Sequence, residues 1–349
     1  MLPTGVHFDT YAAEARILKT TRARVWLLLL VSVLIALPIA AGPYLLGEIT
    51  YMFITLMAVY GLYVTVGMAG QINIAQSAFV GVGAFVTAKL SEYDLPFFVV
   101  IPLAALVTGM VSIVFALPSA RVKGLYLALT TLSAQVIFPI VILALPSDWF
   151  GGLAGMAVEP LHFFGMPLGT PVRIYYFSFA VVAVLTVAAF NLKRSRFGRA
   201  MMAVRDNDVV AEVMGIPVFR IKVMAFFTGS LFAGVAGSCT GYFLQFVTVS
   251  SFTLFASVWY LGMLMIGGGH SPGGAVLGVL FVTILQEALH GIANSVMQSG
   301  GAGGGSLFAW TSIVLGAGIT LALIFEPRGL EHRWSVLRTT FQLWPFPRN

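Results

Sequence analysis

Uninterrupted apolar runs of about 17–23 residues recur along this 349-residue sequence and constrain its fold more than any other feature. A helix needs about 20 apolar residues to cross the hydrocarbon core of a membrane, whereas a transmembrane β-strand shows about ten residues of alternating hydropathy. Only 9% of the residues are charged, compared with roughly 25% in soluble domains. Lipid leaves only helices or a closed barrel as spanning structures. The run lengths therefore predict an all-α, polytopic membrane protein.

We predict about ten transmembrane segments within one transmembrane domain that covers residues 25–325. A cytoplasmic segment, residues 1–24, precedes this domain, and a cytoplasmic tail, residues 326–349, follows it. The first segment also has the basic start and the small residues at its end that are typical of a cleaved signal peptide. Its removal, however, would place the new N-terminus on the wrong side for the charge pattern. The ten predicted segments are residues 25–46, 49–69, 77–91, 95–118, 124–145, 173–191, 223–245, 252–268, 273–290 and 307–325.

The distribution of lysine and arginine orients the predicted segments. Seventeen of the nineteen basic residues fall before the first segment, between the fourth and fifth, between the sixth and seventh, or after the tenth. Ten crossings place all four of these stretches on one side, which the positive-inside rule identifies as the cytoplasm. Both termini are therefore predicted to be cytoplasmic. The same rule explains the net charge of +6 without a nucleic-acid partner.

Residues 67–83, GMAGQINIAQSAFVGVG, place amides and small residues where a membrane segment is expected. An amide at membrane depth needs a hydrogen-bond partner, because leaving it unpaired is costly in lipid. One interpretation is a broken or re-entrant element whose amides line a polar pathway. The other is a tight hairpin whose amides are satisfied by neighbouring helices. Together with a polar patch in the fifth segment, the first interpretation gives these pathway residues: Gly70, Gln71, Asn73, Gln76, Ser77, Thr130, Thr131 and Gln135.

A second glycine-rich turn, GGGHSPGG at residues 267–274, separates two apolar runs in the other half of the chain. Paired interruptions of this kind occur in transporters that are built from inverted repeats. The two segments share too little sequence to establish such a repeat. We interpret His270, within the turn, as a helix-end residue rather than a proton relay.

Residues 191–222 form the longest charged stretch of the chain and hold seven of its nineteen basic residues and three of its thirteen acidic residues. Four apolar residues between 209 and 214 alternate with the acidic residues at helical spacing, which predicts a short amphipathic helix. Gly215 follows it and suits a left-handed C-cap. Such a helix can seat in a groove on a soluble partner; alternatively, the arginines can lie on anionic lipid. The three acids favour the protein partner.

Several motifs of catalytic and nucleotide-binding proteins are missing from the sequence. It contains no GxxxxGK(S/T) phosphate-binding loop, so we do not expect it to bind ATP by itself. It has no HExxH motif, no GxSxG with a plausible triad and no CxxC, and its single cysteine, Cys239, excludes an internal disulfide. Few charges lie within the predicted segments, which disfavours an ion-coupled carrier. We therefore expect no catalytic residues, metal site or cofactor on this chain.

Four blocks of sequence form a pattern that is specific in its order and spacing. They are residues 67–84, 124–132, 194–216 and 327–330, which begin GMAGQ, GLYLALTTL, RSRFGRA and PRGL, respectively. The pattern resembles the permease subunit of bacterial branched-chain amino acid ABC importers, of the leucine/isoleucine/valine type, over roughly residues 50–330. Where this chain has Asn73, Ala75 and Gln76, that family usually has Ser, Gly and His. Tyr63 stands at a position that is often Asn in the family, so the substrate specificity of this chain can differ.

The resemblance implies a multi-subunit importer in the bacterial inner membrane. In that family two permease subunits form the pathway, and we expect a heterodimer here. Two cytoplasmic ATP-binding subunits drive transport, and a periplasmic substrate-binding protein delivers the substrate. ATP then belongs to the partner subunits, and the substrate is a branched-chain amino acid or a related small solute such as urea, an amide or an aromatic acid. The alternatives are a self-sufficient secondary carrier or channel, and an intramembrane enzyme. The residues expected to couple to the ATP-binding subunit are Arg196, Gly198, Arg199, Arg205, Asp206, Asp208, Val210, Ala211, Met214 and Gly215.

Overall fold

The computed structural model is helical through most of the residues that it describes, where strands account for only four segments of two residues each. An apolar chain in lipid satisfies its backbone N–H and C=O groups within each helix, which is why the long apolar runs take this form. The structure describes residues 21–298 except 94, 123, 161, 164–165 and 168–169, and then residues 313–314, 316–321, 324 and 329–343.

We number thirteen helices in chain order within these described residues. Short described pieces between residues 313 and 324 are also helical. The numbered helices are α1 (Thr21–Ala40), α2 (Pro43–Met68), α3 (Gln76–Ser91), α4 (Phe97–Ser119), α5 (Leu125–Ala144), α6 (Ser147–Phe150), α7 (Pro171–Arg194), α8 (Arg196–Asp206), α9 (Asp208–Val213), α10 (Val218–Leu244), α11 (Leu254–Gly267), α12 (Pro272–Gln298) and α13 (Leu330–Leu343).

Seven helical segments in the described part of the chain are long and apolar enough to cross a membrane, and they fall in α2, α4, α5, α7, α10, α11 and α12. This confirms the all-α, multi-pass architecture. The predicted count of about ten is not confirmed. The apolar part of α1, Val25–Ala40, is shorter than the others, and α3 has 16 residues. At about 1.5 Å per residue, 16 residues rise roughly 24 Å, less than the hydrocarbon thickness of about 30 Å. Much of the predicted segment 307–325 lies outside the described residues.

The helix break predicted within residues 67–83 is present but shorter. The last six residues of α2, Tyr63–Met68, form a π-helix, and residues 69–75 are not helical. From Gln76 onward the chain is helical again, in agreement with the predicted segment 77–91, so the break does not extend into residues 76–83. The small residues of that stretch can form a regular helix that packs closely on its neighbours, and in lipid a helix is favoured because it pairs its own backbone groups.

The core lies along α10, which packs against α2, α3 and α4. Glycine pairs bring these helices together: a Cβ on Gly61 of α2 would lie 2.5 Å from the carbonyl oxygen of Gly229 of α10. A Cβ on Gly83 of α3 would likewise lie 2.5 Å from the carbonyl oxygen of Gly234 of α10. Close approach of small residues supplies the van der Waals contact that drives helix association in lipid, where the hydrophobic effect between helices is absent. These contacts hold α2 and α3, the helices on either side of the break, against α10.

The loop between α5 and α7 contains short helical and strand elements. It begins with α6, and its β1 strand, Met156–Ala157, pairs antiparallel with the β4 strand, Phe246–Val247, directly after α10. A second pair joins β2, His162–Phe163, to β3, Met166–Pro167. The loop is therefore tied to the end of α10.

Candidate functional site

A polar cluster surrounds Gln135, which lies midway along the 20-residue α5 and is buried. Its Oε1 accepts hydrogen bonds from the Ala78 N–H and from the Ser257 hydroxyl, each 3.0 Å long. Its Nε2 donates to the carbonyl of Phe252 at 2.9 Å. One amide thus links the first turn of α3, the middle of α5 and the segment that enters α11. Gln135 was predicted to face the pathway, and the structure shows that its hydrogen-bonding groups are engaged by protein.

The amides at the start of α3 are also paired with protein. Asn73 Oδ1 accepts from the Ala75 N–H at 2.9 Å, and Asn73 Nδ2 donates to Gln76 Oε1 at 3.1 Å. Gln76 Nε2 donates to the Ala58 carbonyl of α2 at 2.7 Å. For Asn73 and Gln76, the geometry corresponds to the second interpretation of this segment, in which neighbouring helices satisfy the amides.

The two neighbouring threonines of α5 have different surroundings. Thr131 is buried, and its hydroxyl accepts from the Ile74 N–H at 3.2 Å, which joins α5 to the break. Thr130 is half-buried and donates to the Tyr126 carbonyl of its own helix at 2.8 Å. Successive helical residues point about 100° apart, so both side chains cannot face one cluster. The structure therefore places Thr131 in the polar cluster and Thr130 outside it.

Gln71 differs from the other buried amides of the segment. It is 1% exposed, and neither its Oε1 nor its Nε2 has a hydrogen-bond partner among the described residues. The same holds for the hydroxyls of Ser77 and Tyr63, although the Ser77 N–H donates to Ser257 at 2.8 Å. A buried unsatisfied polar group costs about 1–3 kcal/mol. Gln71 therefore offers a donor and an acceptor that a bound solute or water can satisfy.

The predicted amphipathic helix of the 191–222 loop is present as α9, and α8 precedes it. Each helix begins with a side-chain cap: the Ser195 hydroxyl accepts from the Gly198 N–H at 2.9 Å, and Asn207 Oδ1 accepts from the N–H groups of Val209 and Val210 at 3.1 Å. Side-chain capping of this kind typically stabilises a helix by about 1 kcal/mol. The predicted site residues include neither Ser195 nor Asn207, although a Ser or Asn directly before a helical pattern is a recognised signal for the start of a helix.

The predicted C-cap is confirmed. Gly215 adopts φ +83°, the left-handed region that favours glycine. Its N–H donates to the Glu212 carbonyl at 2.9 Å, and the Ile216 N–H donates to the Ala211 carbonyl at 3.0 Å. This pair of bonds is the Schellman arrangement, which satisfies carbonyls at the end of α9. The short helix is thus capped at both ends.

The predicted coupling residues divide into an exposed and a buried set. Gly198 and Ala211 are buried, and a Cβ on Gly198 would lie 2.9 Å from the terminal methyl of Met68, so they hold α8 and α9 on the bundle. The apolar side chains of the α9 surface are exposed: Val209 by 60%, Val210 by 56%, Val213 by 82% and Met214 by 76%. Arg196, Arg199, Asp206 and Gly215 are exposed as well.

Asp206 is the last residue of α8 and lies before the start of α9. Its Oδ1 accepts hydrogen bonds from Arg205, from Nε at 3.0 Å and from Nη2 at 2.9 Å. Asp208 occupies the first turn of α9, where a negative charge is favourable, and pairs with Lys222 at 3.5 Å. Arg205 turns inward and donates to the Gly67 carbonyl at 2.7 Å.

The two glycine-rich segments meet at the end of the bundle where α7 ends and α10 begins. The sequence identified both segments but not their contact. The start of α13 also joins this end of the bundle. Gly67 lies against the backbone of Gly269. Lys193 Nζ donates a hydrogen bond of 2.7 Å to the His270 carbonyl. The Ser271 hydroxyl donates to the Glu331 carboxylate of α13.

Most of this chain matches a known family of membrane transport proteins. Residues 44–323 match the family described as the branched-chain amino acid transport system, permease component. The chain belongs to this family. The high-affinity branched-chain amino acid transport system permease protein LivM of Salmonella typhimurium is similar, with 26% identity over 89% of this chain and 76% of its own length. LivM of Escherichia coli is 26% identical over 83% of this chain and 72% of its own length.

The chain is also similar, at lower identity, to a permease that is named for a different substrate. The L-arabinose ABC transporter permease protein AraH of Azospirillum brasilense is 23% identical over 68% of this chain and 74% of its own length. No solved structure matches the chain. The matched residues include both the polar cluster around Gln135 and the α8–α9 segment, and they confirm the resemblance predicted from the four sequence blocks.

Proposed function

We propose that this chain is the transmembrane permease subunit of an ATP-driven ABC importer in the bacterial inner membrane. The observation that carries the proposal is the exposed apolar surface of α9, a six-residue helix capped at both ends. Exposed apolar side chains grouped on one short helix are typical of a surface that a protein partner covers. The partner on this surface is a cytoplasmic ATP-binding subunit, and Val210 and Met214 are its central contacts.

The rest of the assembly is inferred from the family to which the chain belongs and from its sequence. Its sequence has no phosphate-binding loop, so ATP binds to the partner subunits, of which two are expected. A second permease subunit completes the pathway, and a periplasmic protein delivers the solute. ATP hydrolysis is then the activity of the partners, and this chain supplies the pathway rather than a catalytic site.

The transported solute is a branched-chain amino acid or a related small polar solute such as urea or an amide. Support for amino acids comes from the names of the LivM relatives, whereas the AraH relative is named for L-arabinose. Within the pathway, Gln71 is the residue best suited to contact the solute, because its buried amide has no partner among the described residues. Asn73, Gln76 and Gln135 shape the site by fixing the helices around it.

The test is a pair of substitutions on α9, assayed in the complete complex. Val210→Asp with Met214→Asp should release the ATP-binding subunit on purification and lower substrate-stimulated ATP hydrolysis in proteoliposomes by about tenfold or more, which corresponds to about 1.4 kcal/mol. The matched control, Val210→Ile with Met214→Leu, keeps the surface apolar and should behave as the wild type.

Two outcomes contradict the proposal. If the aspartate variant keeps both co-purification and stimulated hydrolysis at the wild-type level, α9 is not the docking surface, and contact of the nearby arginines with anionic lipid becomes the better explanation. If uptake persists after the gene for the ATP-binding subunit is deleted, the chain is a self-sufficient carrier or channel.

A further inference from the structure

The end of α2 leaves the Gly67 carbonyl available to a side chain from another part of the chain. The π-helical turn shifts the hydrogen bonds of the residues that follow it, so that they bypass the Gly67 carbonyl. The N–H groups of Ala69, Gly70 and Gln71 bond to the carbonyls of Val64, Val66 and Thr65, at 3.3, 3.1 and 2.9 Å.

Arg205, in the last turn of α8, supplies the missing donor. Its Nη1 lies 2.7 Å from the Gly67 carbonyl oxygen. A cation is favourable at a helix C-terminus, where the last carbonyls carry partial negative charge, and arginine side chains often bond to these carbonyls. The C-terminal cap of the broken helix therefore comes from a residue 138 positions later in the chain.

The stem of Arg205 also lies directly on the break. A Cβ at Gly70 would come within 2.7 Å of Cγ and 3.4 Å of Cα of Arg205, and Gly70 adopts φ +67°. Only glycine fits this position without strain, because it combines a left-handed conformation with close contact. Gln71, the buried amide without a partner, is the next residue.

On its other side, Arg205 is held by Asp206, the last residue of α8, which lies two residues before the start of α9. Asp206 accepts two hydrogen bonds from the guanidinium group, and Asn207 caps α9. Three consecutive residues therefore connect the cap of α2 to the start of α9. The capping side chain thus lies three residues before α9 begins, and its bond to the Gly67 carbonyl is a direct polar contact between this segment and α2.

We propose that Arg205 is the positioning residue that transmits movement of α9, the surface proposed to dock the ATP-binding subunit, to the break that holds Gln71. This inference rests on the proposed function and adds a residue-level connection between the two sites. Packing keeps α8 in place without this bond, because Met201 and Val204 are buried and Gly198 touches Met68. Loss of the Arg205 bond should therefore uncouple the two sites without detaching α8.

The experiment uses the complete reconstituted complex and measures the ATP hydrolysed per solute transported. Arg205→Gln should keep the ATP-binding subunit bound and basal ATP hydrolysis near the wild-type rate, while the ratio rises about tenfold, within the range typical of coupling between two sites. Arg205→Lys should restore part of the coupling, because an ammonium can bond to the Gly67 carbonyl but cannot also hold Asp206 through a planar fork. As a matched control, Arg220→Gln removes one charge from an exposed arginine nearby and should leave the ratio unchanged.

Three results overturn the inference. An unchanged ratio in Arg205→Gln would make the residue a helix cap only, and loss of the ATP-binding subunit would make it a docking contact. If Arg205→Gln assembles poorly, Asp206→Asn weakens the hold on the same guanidinium, and an unchanged ratio there also counts against the role. Failure of the proposed function is distinguishable, because the wild-type complex itself would then fail to bind the ATP-binding subunit or to require ATP.

Discussion

Gln135 and Ser257 share a 3.0 Å hydrogen bond between α5 and α11, although they are 122 residues apart in the chain. The oxygen that accepts this bond also accepts the Ala78 N–H at the start of α3. Three helices are thus joined by one buried amide halfway along α5. Buried hydrogen bonds of this kind make the arrangement of the three helices rigid.

Replacement of Gln135 by leucine should destabilise the protein. The change leaves the Ala78 N–H, the Ser257 hydroxyl and the Phe252 carbonyl without their partner, and each buried unsatisfied group costs about 1–3 kcal/mol. Thermal unfolding in detergent, followed by size-exclusion chromatography, measures the loss. Ser133→Ala is the control, because Ser133 is exposed on the same helix and bonds to its own backbone. Equal stability of Gln135→Leu and the wild type would show that water can replace these bonds.

Substitution of Gln71 should separate a pathway role from a structural one. Gln71→Leu removes an unpartnered buried amide, so the stability should be unchanged or higher by about 1 kcal/mol, while uptake falls. Gln76→Leu removes the bonds to Ala58 and Asn73 and should lower the stability of the complex. Uptake kinetics in vesicles and unfolding temperatures provide the comparison. Wild-type uptake by Gln71→Leu would exclude this side chain from contact with the solute.

Gly215 should tolerate asparagine better than valine. A side chain there meets open space, but φ is +83°, and this left-handed conformation costs a non-glycine residue about 1–2 kcal/mol. Gly215→Val should therefore loosen the end of α9 and weaken co-purification of the ATP-binding subunit, whereas Gly215→Asn, which is more readily left-handed, should retain it. Identical behaviour of the two variants would mean that the C-cap does not matter for docking.

The predicted orientation can be measured with reporter fusions. A reporter after Asn349 should be cytoplasmic and a reporter within residues 146–172 should be periplasmic, because the clustered arginines and lysines favour the cytoplasmic side. Paired reporters that are active on opposite sides of the membrane give the readout. A periplasmic C-terminus would contradict both the orientation and the assignment of α9 to the cytoplasm.

The features of this protein that depend on local physics can be predicted from its amino-acid sequence. The lengths of the apolar runs gave the membrane class and the approximate positions of the long helices, since a helix in lipid satisfies its own backbone. Spacing of the apolar residues predicted α9, and the glycine that follows it predicted the left-handed C-cap at Gly215. The polar sequence near residue 71 correctly indicated a break after α2, because glycines and amides next to an apolar run are unusual in a regular membrane helix.

Which polar groups have hydrogen-bond partners cannot be read from local sequence and depends on how the helices pack. Gln71 and Gln76 lie in the same seventeen-residue motif, yet Gln76 bonds to Ala58 of α2 and Gln71 has no partner among the described residues. Ser257 gave no signal, because a serine in an apolar run usually bonds to its own helix. Arg205 was predicted to couple to the ATP-binding subunit, and the local sequence gave no sign that it also caps α2 from α8. Burial and hydrogen bonding at these positions depend on residues far away in the chain, which helix packing brings together and local sequence patterns do not encode.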